Sequence, residues 1–354
     1  MIERHDHRSP ARESLEAELD ARRVALPLYA RAAWRVVSGA QSSMLFVARD
    51  EGGSPRAALG ATIWPVRALP GHCVIRVPRF GWGGEVEETT PLLEHLASWA
   101  RRRPLALRCR VRIVTPDESE HRLYSERLAA AGFLRAGQPE SYEYSVLVDL
   151  RRDLDAVHAA FSRTTRQNIR EVERRPLAVC RIDDTAFVPR LDELLRSAFG
   201  RTGGAPPAVD WPLLLAFARR HDSRVRLVGL VHRERSGPDA LLAFAMAAHH
   251  GHNVEYVHGA SARDHGLGRV SLNYALQWDL IRWAHETGAA WYDMGGAAGP
   301  DAPDADSLRG ITEFKLAFGS QLRYVGAEYE LVTSPWRNRV AHLASRVRSR
   351  TQGP

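Results

Sequence analysis

The sequence predicts an α/β protein of two similar domains joined end to end, each a mixed sheet flanked by helices. Three observations carry this expectation. Runs rich in β-formers alternate with helical periods along the chain, the pattern of α/β architecture. The same series of elements comes round twice, although the residues of the two halves do not visibly repeat. The 354 residues, 44% hydrophobic and 26% charged, are enough to bury two cores. The expected divisions are residues 1–150, 151–335 and a basic tail, 336–354.

In the first half, residues 1–40 read as a frayed start followed by a helical stretch. MLFVARD and RAALGATIWPV flank a Gly/Ser/Pro cluster and predict a hairpin. HCVIRVPRF is a further strand, ending in Gly81-Trp82-Gly83-Gly84. From Pro91, apolar Leu92, Leu93, Leu96 and Trp99 recur at helical spacing with proline in the first turn. LALRCRVRIV is a strand, Glu118 to Ala131 a helix closed by Gly132, and YEYSVLVDL another strand. Residues 151–176 then read as one long basic amphipathic helix ended by Pro176. The second half repeats the theme. LAVCRI is a strand, Phe187 to Phe199 and Trp211 to Arg220 are helices, and VRLVGLVHR and ALLAFAMAAHH are strands around Ser236-Gly237-Pro238. HNVEYVHGAS is a strand, and Ser271 to Thr287 a helix closed by Gly288.

Composition narrows the function classes. No apolar run reaches 18 residues and the first twenty residues are charged throughout, so neither a spanning helix nor a signal peptide is expected. Cys73, Cys109 and Cys180 are scattered without C-x-x-C spacing, which points away from disulfides and zinc and toward a reducing cytoplasm. His249, His250 and His252 lack an acidic or cysteine partner at ligand spacing, and no metal is expected. The formal net charge of +7 suggests an anionic partner.

One residue stands out. Lys315 is the only lysine, and the other 48 basic side chains are arginine. A compact ammonium on a flexible stem can follow a developing charge or change its pKa, which a planar guanidinium cannot. It lies in WYDMGG…LRGITEFKLAFG, between Phe314 and Phe318-Gly319. Asp293, ahead of Gly295 and Gly296, has two readings: a general base or amine-orienting group, or a cap on the Gly-Gly turn. Gly295 and Gly296 permit close backbone approach to a ligand or simply make a turn.

Three segments together resemble the Fem-type aminoacyltransferases, which build peptidoglycan cross-bridges. They are VLVDLRRDLDAVHAAFSRTTRQNIREVER with its Arg166–Arg170 core; YVHGASARDHGLGRVSLNYALQWDLIRWAHETG with Asn273-Tyr274 and Gln277-Trp278; and WYDMGG with LRGITEFKLAFG. The match covers about half of the chain, and the FK…FG segment is its most specific part. The resemblance implies two tandem domains of the acetyltransferase (GNAT) fold, and the coiled-coil arm of some members is absent. It implies a charged tRNA as donor, with no cofactor. The implied acceptor is an amine on a peptidoglycan precursor stem peptide or a related peptide natural product. Lys315, helped by the backbone at Phe314, is then the oxyanion stabiliser. Arg201, in a Gly/Pro loop, stands where an arginine grips a diphosphate; Tyr256 and Asn273 join Gly295 and Gly296 as substrate-binding candidates. PRFGWGG occupies the place of the family's Gly-Pro substrate strand and lacks that pair.

A second motif points elsewhere. Arg263-x-x-Gly266-x-Gly268, between a strand and a helix, is similar to the pyrophosphate loop of coenzyme A-dependent GNAT enzymes, in which glycines admit phosphate to backbone N–H groups at a helix N-terminus. It supports an acyl-coenzyme A N-acyltransferase as the alternative; a non-catalytic pair that binds precursor or RNA is the third reading. The tail WRNRVAHLASRVRSR predicts a basic amphipathic helix suited to docking or to peripheral membrane contact. The acidic, Pro-rich loop 299–307 reads as a mobile cover. The protein is expected to be a monomer.

Overall fold

The structure, a computed structural model, describes residues 1–202, 204–263, 265–268, 270–303, 308–341 and 343; the side chains of Arg201 and Thr202 lie outside the described part. In chain order the first elements are β1 (Ile2–Asp6), α1 (Arg12–Ala21), α2 (Ala32–Ser38), β2 (Ser42–Arg49), β3 (Pro55–Pro65) and β4 (Cys73–Gly81). There follow α3 (Val86–Arg101), β5 (Ala106–Val114), α4 (Glu118–Ala130), β6 (Leu134–Arg135) and β7 (Tyr144–Asp149). The second half holds α5 (Leu154–Ala159), α6 (Arg163–Glu173), β8 (Leu177–Arg181), α7 (Val188–Thr202), α8 (Trp211–Arg220) and β9 (Val225–His232). It continues with β10 (Leu241–His249), β11 (Asn253–Ser261), α9 (Asn273–Glu286), β12 (Trp291–Ala297), α10 (Arg309–Leu316), β13 (Gln321–Tyr324) and β14 (Glu328–Val332).

The strands form two seven-stranded mixed sheets, in the orders β1-β2-β3-β4-β5-β14-β6 and β13-β7-β12-β11-β10-β9-β8. The two orders are the same once β7 and β14 are exchanged. β7 ends the first run of the sequence but inserts between β12 and β13; β14 follows the second run but inserts between β5 and β6. The compact units are therefore Met1–Glu143 with the segment beginning at Tyr324, and Tyr144–Arg323. β7, which a division at residue 150 assigns to the first half, reads SVLV on its buried positions and completes the second sheet by antiparallel pairing with β12.

Three elements depart from the sequence expectation for physical reasons. The N-terminal residues form an edge strand, with Ile2 to Asp6 paired to Ala48 to Met44. The first helix of the hairpin-helix series begins at Val86, so Pro91 sits inside it rather than in its first turn. The helix expected over 151–176 is broken into α5 and α6. Ser162 caps α6 by accepting the Thr165 N–H at 3.1 Å, and its own N–H donates to Ala317 O. That side-chain competition with the helical backbone is what serine does at an N-cap. The helical tail is described at 335–341, where Trp336 and Val340 are exposed, as is Leu343; the rest of the tail lies outside the described residues.

β14 has strands on both sides, and the guanidinium of Arg110 on β5 ties it down through Glu330 on β14 at 2.7 Å and Glu140 at 2.6 Å. A chain ending at Arg323 should therefore lose the first unit while keeping the sheet of the second. Limited proteolysis should cut residues 1–143 rapidly and spare residues 144–323. Equal protection of both halves would refute the exchange of strands.

Candidate active site

The site is built from β12, β7 and α10. In a regular strand successive carbonyls point in opposite directions, so one donor cannot reach two in a row. β12 escapes this by a bulge: Asp293 pairs with Leu147, yet Gly296 pairs with Ser145, which leaves one extra residue on β12. Gly295 takes up the bend at φ +76°, a conformation in which a side chain is strained. The carbonyls of Gly295 and Gly296 both accept from the Lys315 ammonium, at 3.0 and 2.5 Å. Asp293 holds the bulge from below. Its Oδ1 accepts the Gly295 N–H at 2.9 Å, and the single Ser145 hydroxyl proton is shared between Asp293 Oδ1 and Gly295 O, the latter at 3.0 Å.

The FK…FG segment places the ammonium. Thr312 accepts the Ala298 N–H at 2.9 Å and donates back to Leu308 O, which pins the start of α10 to the end of β12. The end of α10 docks on the break between α5 and α6, where Ser162 N–H and the Thr165 hydroxyl both donate to Ala317 O. Gly319 allows that approach. Aromatic rings fill the space around it: Phe314 and Phe318 pack on Tyr274, and Phe318 on Phe161, which meets Trp278 at 5.4 Å. Gln277 accepts the Tyr292 hydroxyl at 2.7 Å, and Arg166 donates to Ala159 O and Phe161 O. The motif pairs of the sequence are thus mostly the scaffold that fixes Lys315.

Lys315 is only 6% exposed. Burial pushes its ammonium down to about 8, and the nearby Asp293 carboxylate opposes that shift. An ammonium has three donors. Two are held by Gly295 and Gly296, and among the described residues the third has no acceptor. A buried cation with one free donor is suited to an oxygen that becomes negative.

The other sequence candidates lie at different distances from this centre. Phe314, Asp293, Gly295 and Gly296 are assembled with Lys315. Tyr256, on β11, is packed against the core, and burial pushes its phenol up to about 12. Asn273 is half-buried at the first position of α9. Arg201 falls in the last turn of α7, and its side chain is outside the described residues. In the Arg263–Gly268 loop, Gly266 and Gly268 have φ +72° and +69°, Arg235 donates to His265 O at 3.0 Å, and Arg263 is exposed. The first unit carries PRFGWGG on a cavity of its own, about 480 Å³, lined by Arg22, Arg23, Arg56 and the buried Arg79. Four residues of the acidic loop, 304–307, lie outside the described residues. Sequence reasoning missed Ser145; a single serine within a strand gives no signal of an aspartate partner across a bulge. Among the described residues, no cluster of His, Cys, Asp and Glu could hold a metal, and no helix is long and apolar enough to cross a membrane.

Comparison with known proteins decides the fold. A crystal structure of FemX matches over 96% of this chain and 100% of its own, with a TM-score of 0.75 at 15% identity. This chain has the FemX-like tandem GNAT fold. L-PGS from Bacillus licheniformis matches at a TM-score of 0.55 and 14% identity, covering 97% of each chain. A tandem GNAT protein from the clavulanic acid biosynthesis pathway matches at 0.50 and 17% identity, covering 95% of this chain and 99% of its own. Residues 159–315, within the unit that holds Lys315, match the acetyltransferase (GNAT) domain model. By sequence, the chain is distantly related to lipid II:glycine glycyltransferase of Staphylococcus epidermidis, 32% identical over 124 residues. That alignment takes in 34% of this chain and spans only 28% of the relative.

Proposed function

We propose that this FemX-like protein transfers an aminoacyl group from a charged tRNA to an amine. The acceptor class is a peptidoglycan precursor stem peptide or a related peptide natural product, and the reaction belongs to the cytoplasm. The observation that carries this reading is the buried Lys315 ammonium with one donor left over. The amine nitrogen attacks the ester carbonyl carbon, the carbonyl oxygen becomes an oxyanion, and the ribose oxygen then leaves. Lys315 meets the oxyanion alone: Phe314 is the sixth residue of α10, so its N–H belongs to the helix's own ladder and is not free to help, contrary to the expectation from the sequence. Asp293 keeps the Gly295 bulge in shape and helps keep the ammonium charged. The distant relationship to lipid II:glycine glycyltransferase supports the chemistry and the acceptor class alike.

The Arg263–Gly268 loop favours a second reading, an acyl-coenzyme A donor. Two glycines at positive φ lead into α9, whose N-terminus has no side-chain cap, an arrangement that favours phosphate. Purified protein with labelled charged tRNA in one tube and labelled acetyl-coenzyme A in another, each with cell-wall precursor extract, separates the two. RNase-sensitive transfer onto the extract is the expected result; transfer from coenzyme A alone would overturn it.

The pH profile gives a second check. The ammonium must be protonated to stabilise an oxyanion, so turnover should fall as pH rises through about 8. Asp293→Asn keeps an acceptor for Gly295 N–H and Ser145 but removes the charge that raises the lysine. The alkaline limb should move to lower pH; an unmoved limb would assign it to another group.

A further inference from the structure

We infer that His258, on the same face of β11 as the Glu255 carboxylate, accepts the proton of the attacking amine; the inference rests on the aminoacyl-transfer reading. The ladder between β11 and β12 runs through Asn253↔Trp291, Val254↔Tyr292 and Glu255↔Asp293 and then stops. Both strands continue, β11 to Ser261 and β12 to Ala297. Beyond Glu255 and Asp293 the two strands no longer pair; the carbonyls that hold the Lys315 ammonium, Gly295 O and Gly296 O, belong to that unpaired part of β12, and His258 belongs to that unpaired part of β11.

Its direction follows from a second bulge. Residues three apart on a regular strand point to opposite faces. On β11, however, Glu255 pairs with Ala248, Tyr256 with Ala247 and His258 with Met246, so Val257 is the extra residue. The bulge returns His258 to the face of Glu255, and register puts Asp293 on that face as well. Tyr256 points the other way, into the core.

The surroundings suit a neutral base. Burial holds the His258 imidazole below the usual histidine range, opposed by the Glu255 carboxylate. Glu255 is itself buried and bonded to His250 Nε2 at 3.1 Å. α7 packs over β11, and its Arg190 is already engaged with Leu241 O and Glu193. On β12, Asp293 is the register partner of Glu255 and caps its own turn, and Lys315 is held by the Gly295 and Gly296 carbonyls of that turn. Among the described residues His258 makes no hydrogen bond. In the reaction the amine nitrogen forms its bond to the carbonyl carbon and gives one proton to His258. The carbon–oxygen bond to the ribose breaks, and that oxygen takes the proton back, so the imidazole ends neutral.

The test measures single-turnover transfer from charged tRNA by wild type, His258→Gln and Glu255→Gln, to precursor amine and to hydroxylamine. Hydroxylamine nitrogen is unprotonated at neutral pH, and its electron-withdrawing oxygen makes the adduct N–H acidic enough to lose its proton to water, so it depends far less on a base. With the precursor amine, His258→Gln should lose about 10²-fold in rate or more and lose the acidic limb of the pH profile, the range for general bases. With hydroxylamine the loss should be less than about tenfold. Glu255→Gln keeps the bond to His250 and should move the acidic limb to lower pH. Equal losses with both acceptors, or an acidic limb that survives in His258→Gln, would overturn the role. A wild type that transfers to neither acceptor would instead remove the aminoacyl-transfer reading beneath it.

Discussion

Lys315→Met lowers kcat by about 10²- to 10³-fold, the loss seen when one donor to a developing oxyanion is removed. KM should change little, because the negative oxygen exists in the transition state and not in the bound ester. Stability should fall modestly: Gly296 O loses its donor, at about 1–3 kcal/mol for a buried group left unpaired, while Gly295 O keeps the Ser145 hydroxyl at 3.0 Å, and removal of a buried charge offsets part of the loss. Lys315→Arg is the sharper variant. A guanidinium keeps the charge but spreads its donors over a rigid plane, so it cannot hold both carbonyls of the bulge and still present an N–H to a substrate. Its activity should stay within about tenfold of the methionine variant. Full turnover in Lys315→Arg would mean that charge alone suffices, and the assignment of Lys315 would fall. Donor hydrolysis in the absence of acceptor, measured beside transfer, separates loss of chemistry from loss of binding.

Much of this site was legible in the sequence because one composition anomaly coincided with one motif. A single lysine among 48 arginines, set between Phe314 and Phe318-Gly319, marks a position where the two cations are not equivalent. The strand and helix periods likewise give most elements, since each sheet has one face on a core and each helix one apolar stripe. What periodicity cannot show is which sheet a strand joins. YSVLVD of β7 looks the same whether it closes the first sheet or enters the second, and only pairing with β12 decides. The two bulges were hidden for a similar reason. Gly295 announces a possible bend, but nothing in YVHG states that Val257 is an extra residue and that His258 therefore lies beside Glu255. The readings of Asp293 part in the same way: a carboxylate before Gly-Gly is a common turn cap, and here it caps the turn while also facing the lysine.

Gly319→Ala should damage both fold and activity, and Gly310→Ala neither, although both glycines belong to the same short motif. Gly319 has φ +64°, and a Cβ there would lie 2.4 Å from Ala160 O and 2.6 Å from its carbonyl carbon. Those are backbone atoms at the α5–α6 break, so no side chain can swing aside. The left-handed conformation alone costs about 1–2 kcal/mol in a non-glycine residue; with the clash, the expected loss is about 2–4 kcal/mol. α10 must then back away, which stretches the bonds that Ser162 and Thr165 make to Ala317 O. Lys315, one turn earlier on α10, moves with it and loses its aim at the bulge. A shift of about 1 Å at a catalytic group commonly costs about 10²-fold. Gly310 meets nothing within 4 Å and lies inside α10, so alanine there should raise helix stability by a few tenths to about 1 kcal/mol and leave kcat unchanged. Thermal melts and single-turnover rates on the two variants separate the effects. If Gly319→Ala melts and turns over like wild type, α10 is not docked on the α5–α6 break, and the placement of Lys315 needs another cause.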